Sequence, residues 1–408
     1  MKDLDLSNKD ELIKEEEEKY ILQTYRRYPI SILKGKGALV WDAQGKEYLD
    51  FTSGLAVCNL GHSHPKIVET IKEQASILMH TSNLFYTVPQ INLAKRLIQL
   101  SFPGKVFFCN SGAEANEAAI KLARKHGKIT GDKYEIITLE NSFHGRTLAT
   151  LTATAQTKFH QGFEPLPEGF RYCRFNDLTD LKNKITPVTA AIILEVIQGE
   201  GGINIAEASY LKGVREICNQ QGILLIFDEV QTGIGRTGEM FGFQNYRELT
   251  PDVITLAKAL GNGFPIGAMI VKEEFTSCLS FGEHASTFGG NPLAAATGWA
   301  VLDTIIKEDI LERVKKVSTY LLVRLHELAK KYNLILKQIR SQGLMIGLEL
   351  TIKGDKIVKD CLKEGLIINC TCEKVLRLLP PLIITNKEVD QALDILDKVL
   401  NNNETIKD

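Results

Sequence analysis

The chain has almost no net charge: 49 lysines and arginines stand against 50 aspartates and glutamates, a formal −1 at neutral pH. So even a balance gives no general attraction to nucleic acid or an anionic membrane, and small molecules and a second copy of the chain are the expected partners. There is no apolar run long enough to cross a bilayer. Met1-Lys2-Asp3 opens onto charged residues and not onto a signal-peptide core, so a cytoplasmic protein is expected. Internal repeats are lacking, and so is any linker that would split the chain into independent modules. Cysteine is sparse. Cys58, Cys109, Cys173, Cys218, Cys278, Cys361, Cys370 and Cys372 lie scattered, mostly in apolar runs, which suits reduced thiols. Only Cys370 and Cys372 are close, and no further metal ligands stand near them, so they are read as structural and no metal is expected. His62 and His64, just before Pro65, are likewise read as turn and cap residues.

What is present is an ordinary globular composition, 44% hydrophobic over 408 residues, enough for a sizeable core and two or three domains. One stretch organises the rest. Leu224 to Phe227 read as a buried strand that ends in Asp228 and Glu229; glycines 233, 235 and 238 give a loop; Val253 to Ala257 read as a second strand with Lys258 at its end. Ligands of an open parallel sheet bind beyond the carboxyl ends of its strands, so an acid and an amine exported there by consecutive strands can share one pocket. Alone, such an aspartate is usually a cap and such a lysine usually surface. The combination is the informative part.

Around this stretch strands and helices alternate, which argues for an α/β fold with a mostly parallel sheet and helices on both faces. Residues 1 to about 24 read as a charged helix or arm, and 38–42 with 47–51 as a hairpin. A strand at 105–109 passes through Ser111 into a helix expected to end near His126, before Gly127. Ser111 with Glu114 reads as a capping box, and the free N–H groups there, with Gly112 allowing close approach, could hold a phosphate. Further strands are expected at 135–139, 190–196, 268–271, 344–350 and 366–368. Helices are expected at 210–221, 292–306, 310–332, 356–364 and 390–400. Arg377 lies in an apolar strand, where an arginine rarely sits unpaired.

The pattern D-E-V-Q-T-G-x-G-R-T-G followed by T-L-A-K-A-L-G-N-G-F-P resembles the pyridoxal-phosphate site of class III aminotransferases. N-S-G-A-E-A-N-E resembles that family's phosphate cup, and the likeness runs from about Tyr25 to Asp397. It implies fold-type I, with a large cofactor-binding domain at about 61–290 and a smaller α+β domain formed by 1–60 and 291–408. It implies Lys258 as the catalytic amine that holds pyridoxal 5'-phosphate as a Schiff base and shuttles the proton, and Asp228 as the carboxylate facing the pyridine nitrogen. By the same resemblance Ser111, Gly112 and Ala113 cradle the phosphate, Phe143 stacks on the ring, Val230 and Gln231 complete the cofactor contacts, and Thr287 reaches the phosphate of a partner subunit's cofactor in a homodimer. Ser82 to Tyr86 match a segment near that interface.

Arg146 is implied to grip a substrate carboxylate, a task suited to the guanidinium fork. Glu200 is implied to pair with Arg377 while the amino donor reacts and to swing away when the dicarboxylate 2-oxoglutarate binds. Within the family the likeness is greatest to enzymes acting on N-acetylornithine. Leu55 stands where ornithine-specific members carry a tyrosine that helps hold a free α-amino group. Transfer from succinylornithine, ornithine, 4-aminobutyrate or an acylated lysine, an aminomutase or racemase activity, and a binding protein that has lost catalysis are the alternatives.

Overall fold

In the computed structural model, which describes residues 9–403, the apolar runs of the middle of the chain form one seven-stranded sheet. Its strands are β1 (Gly104–Cys109), β2 (Glu135–Leu139), β3 (Phe170–Cys173), β4 (Thr189–Leu194), β5 (Leu224–Asp228), β6 (Val253–Leu256) and β7 (Gly267–Lys272). They lie in the order β1-β7-β6-β5-β4-β2-β3. Only β7 runs against the others, antiparallel to β6 and β1. The strands β2, β4, β5 and β6 are buried along their whole length. That is why they read as largely apolar runs without alternation.

Because β1, β2, β4, β5 and β6 point the same way, their carboxyl ends share one edge of the sheet. The segments 110–114, 141–146, 195–200, 228–231 and 257–258 all leave from that edge. In register, Asp228 pairs with Thr255, so Lys258 follows three residues later, just beyond the end of the adjacent strand.

From β1 the chain enters helix α1 (Gly112–Gly131), capped by Ser111, whose side chain accepts from the Glu114 N–H. Two expectations are corrected here. The Glu114 carboxylate reaches back to the N–H of Asn110, one residue before the cap, so the bonding is not that of a reciprocal capping box. And α1 does not stop before Gly127 but runs to Gly131, ending on Asp132 in the left-handed region (φ 59°). A Cβ at Gly127 would come within 2.3 Å of the Lys133 carbonyl oxygen, so this glycine admits the returning chain and does not end the helix.

The two ends of the described chain meet. Ile32–Lys36, Leu39–Asp42 and Glu47–Asp50 form an antiparallel meander, and Leu366–Ile367 adds to it in parallel. A second sheet joins Leu336–Gln342, Met345–Leu350, Val375–Leu378 and Asn369–Thr371. Helices Pro292–Lys307, Ile310–Lys331, Asp355–Glu364 and Asn386–Asn403 accompany these strands. The charged arm is helical over Lys9–Tyr20; its residues 1–8 lie outside the described part. Among the described residues no helix is long and apolar enough to cross a membrane.

Candidate active site

A cavity of about 460 Å³ opens at the shared strand edge. Ser111, Gly112, Ala113, Phe143, Arg146, Glu200, Asp228, Val230, Gln231 and Lys258 all line it, so residues spread over more than a hundred positions converge on one space. At one end is the start of α1. The Glu114 and Ala115 N–H groups are taken by Ser111, whereas those of Gly112 and Ala113 have no protein acceptor among the described residues. A Cβ on residue 112 would lie 2.8 Å from Val230 Cγ1, so only glycine lets the helix start close down on Val230. Unbonded N–H groups at the positive end of a twenty-residue helix suit an anionic phosphate.

On the β5 side, Asp228 is 4% exposed. Its Oδ2 accepts from Asn116 Nδ2 and pairs with His144 Nδ1, each at 2.8 Å, and Oδ1 accepts from the Val230 N–H at 3.0 Å. Asn116 is itself oriented by Thr255, whose Oγ1 donates to it at 2.7 Å. Burial opposes a charge on His144, but its hydrogen bond to Asp228 and the carboxylate charge outweigh that and raise the imidazole pKa. Asn116 and His144 thus hold Asp228 Oδ2 from behind and fix the orientation of the carboxylate at the cavity wall. Beside them Glu195, fully buried, accepts from the Phe143 N–H at 3.1 Å and the Gly199 N–H at 3.3 Å. Burial pushes its carboxyl up to about 7, with His144 pulling it down.

Lys258 stands opposite with its backbone in the left-handed region (φ 43°), a strained setting for a non-glycine residue. Among the described residues its amine makes no hydrogen bond or ion pair. Burial drives its pKa down from the usual range, against the pull of Glu200. A desolvated amine with no partner is a nucleophile held ready.

At the mouth, the Arg146 guanidinium lies over the Phe159 ring, 4.0 Å from its centroid, and 5.4 Å from that of Phe143. It is exposed and has no carboxylate partner among the described residues. Deeper, Arg377 Nη1 meets Glu200 Oε1 at 2.6 Å and Gln231 Oε1 at 3.3 Å, and Arg377 Nε donates to Asn369 at 3.3 Å. The arginine side chain is 1% exposed and that of the glutamate 32%. Burial would raise the Glu200 pKa, and the Arg377 charge outweighs it.

Thr287 does not line this cavity. It sits with Asn83, Leu84 and Phe107 in another, on a face where Leu84 (86%), Tyr86 (99%) and Phe281 (104%) are exposed. The His62 imidazole is engaged by Asp50 at 2.8 Å. All eight cysteines are free.

Asn116, His144 and Glu195 were not assigned from sequence. Asn116 carried a signal: it lies on the stripe of α1 that holds Ala119, Ile120 and Ala123, where a polar residue is buried and must be bonded. His144 and Glu195 carried none beyond adjacency to Phe143 and to the end of β4.

Residues 20–400 match the family described as aminotransferase class-III. The acetylornithine aminotransferase of Methanocaldococcus jannaschii is 53% identical, over 94% of this chain and 96% of its own. That of Caldanaerobacter subterraneus subsp. tengcongensis is also 53% identical, over 94% and 98%. Among solved structures, an ornithine aminotransferase of Toxoplasma gondii, with PLP at partial occupancy in its active site, superposes with a TM-score of 0.92 at 31% identity, covering 97% of this chain and 96% of that one.

Proposed function

The chain belongs to the class-III aminotransferases, fold-type I enzymes, and from that membership we propose its reaction. It moves the terminal amino group of N2-acetyl-L-ornithine to 2-oxoglutarate, giving N-acetyl-L-glutamate 5-semialdehyde and L-glutamate, a step of arginine synthesis. The observation that carries this is near-full-length identity of 46–53% to a series of acetylornithine aminotransferases. Pyridoxal 5'-phosphate is the cofactor.

The residues present fit that group. Ser111, Gly112 and Ala113 would hold its phosphate, Asp228 its ring nitrogen, Phe143 and Val230 its faces and Gln231 its edge. Bound there, the cofactor supplies an aldehyde that carries the amino group and a ring that withdraws electrons from the reacting carbon. Lys258 Nζ is the amine that holds it. With the substrate amine in its place, Nζ would be free to take the proton from the carbon that bears that amine and to pass it on across the nitrogen. Burial lowers the basicity of Nζ, which favours its acting as a free amine. Arg146 grips the carboxylate remote from the reaction centre in either substrate. Arg377, released from Glu200, takes the one beside the keto group. Leu55, in place of a tyrosine that would hold a free α-amino group, suits an acylated donor.

The same reading makes the enzyme a cytoplasmic homodimer in which Thr287 of each protomer serves the other's phosphate site. The exposed apolar residues around Thr287 support it. It also divides the chain into a large domain over about 61–290 and a small one built from both ends. Measuring glutamate formation with a panel of N-acetyl-, N-succinyl- and unmodified ornithine, 4-aminobutyrate and acyl-lysine tests the substrate. Faster turnover of free ornithine than of the acetylated form overturns it.

A further inference from the structure

Arg236 belongs to the D-E-V-Q-T-G-x-G-R-T-G motif, yet nothing in the reaction uses it. Its side chain is fully buried, at 0% exposure, and no carboxylate pairs with it among the described residues. Such a charge is costly to bury, so its neutral partners deserve notice. Nη1 donates to the carbonyls of Leu344 at 3.0 Å and Pro380 at 2.6 Å. Nη2 donates to Ser53 Oγ at 3.3 Å and to Asn59 Oδ1. Nε has no partner. Burial lowers its pKa to about 9, which leaves it charged at neutral pH.

The residues it reaches frame an unusual turn. Ser53, Gly54, Leu55 and Ala56 have φ of 42°, 65°, 64° and 62°, four consecutive residues in the left-handed region, three of them not glycine. Each non-glycine residue there costs roughly 1–2 kcal/mol, so the turn persists only if its surroundings fix it. Arg236 grips Ser53 at its start and Asn59 just past its end. Ser53 Oγ also donates to the Leu379 carbonyl at 2.6 Å, and the Leu382 N–H donates to the Asn59 carbonyl at 2.7 Å. The turn presents Leu55 and Val57, the latter in the cavity wall. Pro380 lies two residues beyond the strand Val375–Leu378 that carries Arg377, and Arg236 follows Gln231 by five positions.

We propose that Arg236 is a positioning residue for substrate recognition: its guanidinium fork fixes the strained turn 53–59 and the Arg377 strand against the 228–236 loop, and so sets the width of the substrate side of the cavity. A planar fork spans both pairs of acceptors, whereas a lysine ammonium serves one point. This rests on the reading of the cavity as an amine-transfer site.

The test uses the cofactor-loaded full chain with Arg236→Lys and Asn59→Ala. In both, KM should rise on the order of tenfold, with kcat changed less and the affinity of the apoenzyme for pyridoxal phosphate, read by fluorescence titration, unchanged. Arg236→Lys should affect N-acetylornithine and 2-oxoglutarate alike. Asn59→Ala, which keeps the Leu344 and Pro380 arms, should affect mainly N-acetylornithine. A role confined to stability would lower the melting temperature and cofactor affinity together and leave both KM values alone, which overturns the proposal. If Arg236→Lys does not fold, the KM values of Asn59→Ala decide in the same way. Failure of the wild-type enzyme to form glutamate would instead overturn the functional reading.

Discussion

The pair between Glu200 and Arg377 sets up the sharpest kinetic expectation. Glu200→Ala leaves a guanidinium that is 1% exposed with, among the described residues, two neutral acceptors, Gln231 Oε1 and Asn369 Oδ1, both at 3.3 Å. Breaking a fully buried pair costs roughly 3–5 kcal/mol. Glu200 is 32% exposed, so part of the pair is already solvated and a figure of roughly 2–3 kcal/mol is reasonable here. That unpaired charge opposes the apolar methylenes beside the reacting amine of N-acetylornithine, but it is satisfied by the α-carboxylate of glutamate. The loss therefore falls on one half-reaction, slowing it about 30- to 160-fold. Arg377→Ala should do the reverse, because the freed Glu200 can turn to water while the glutamate half-reaction loses its anchor. Single-turnover absorbance changes, followed with each substrate separately, read the two halves. Equal losses in both halves for Glu200→Ala would refute the reasoning.

Mixing inactive Lys258→Ala with an inactive Thr287 variant should restore activity. In a mixed dimer one site carries both defects and the other neither, so random exchange gives about a quarter of wild-type turnover; no recovery after verified exchange speaks against sites shared between protomers. Glu195→Gln should change the pH dependence of stability. Burial raises the folded-state pKa of Glu195 to about 7, so its contribution is fully present below the ordinary carboxylate range and is lost as pH rises through about 7. Relative to the glutamine variant, the wild-type melting temperature should fall between about pH 5 and 8; a constant difference over that range contradicts the buried titration.

Much of this was legible because buried parallel strands announce themselves. The runs Ala190–Leu194 and Leu224–Phe227 have no polar interruption, and the residues that follow them are delivered to the cavity. What stayed hidden had weak local signals. Leu336–Gln342 is a strand, but its sequence L-K-Q-I-R-S-Q is only half-buried and carries charges, so propensity gave no reason to expect it; pairing with Met345–Leu350 creates it. Gly127 misled because a glycine after a helical run is usually a stop, whereas here it answers a backbone contact. Pairing of Arg377 with Glu200, 177 positions away, was expected only through resemblance, since no periodicity links a strand of one sheet to a loop of another.

The adjacent acids of the motif show how one segment was made to do separate things. Successive residues at a strand end point to opposite sides. Asp228 turns to the cavity and takes its donors from α1 and the β2 loop, through Asn116 and His144. Glu229 turns away and is filled by the Thr232 hydroxyl at 2.6 Å and the N–H groups of Gly242 and Phe243 at 2.7 Å. Those bonds fold residues 229–243 into a closed loop, and that loop holds Arg236 where it can reach the turn at 53–59. Replacing Glu229 would therefore leave Asp228 its partners but loosen Arg236. The acid that lines the cavity and the acid that turns away from it thus constrain the same cavity from its two sides, one through charge and the other through the shape of the wall.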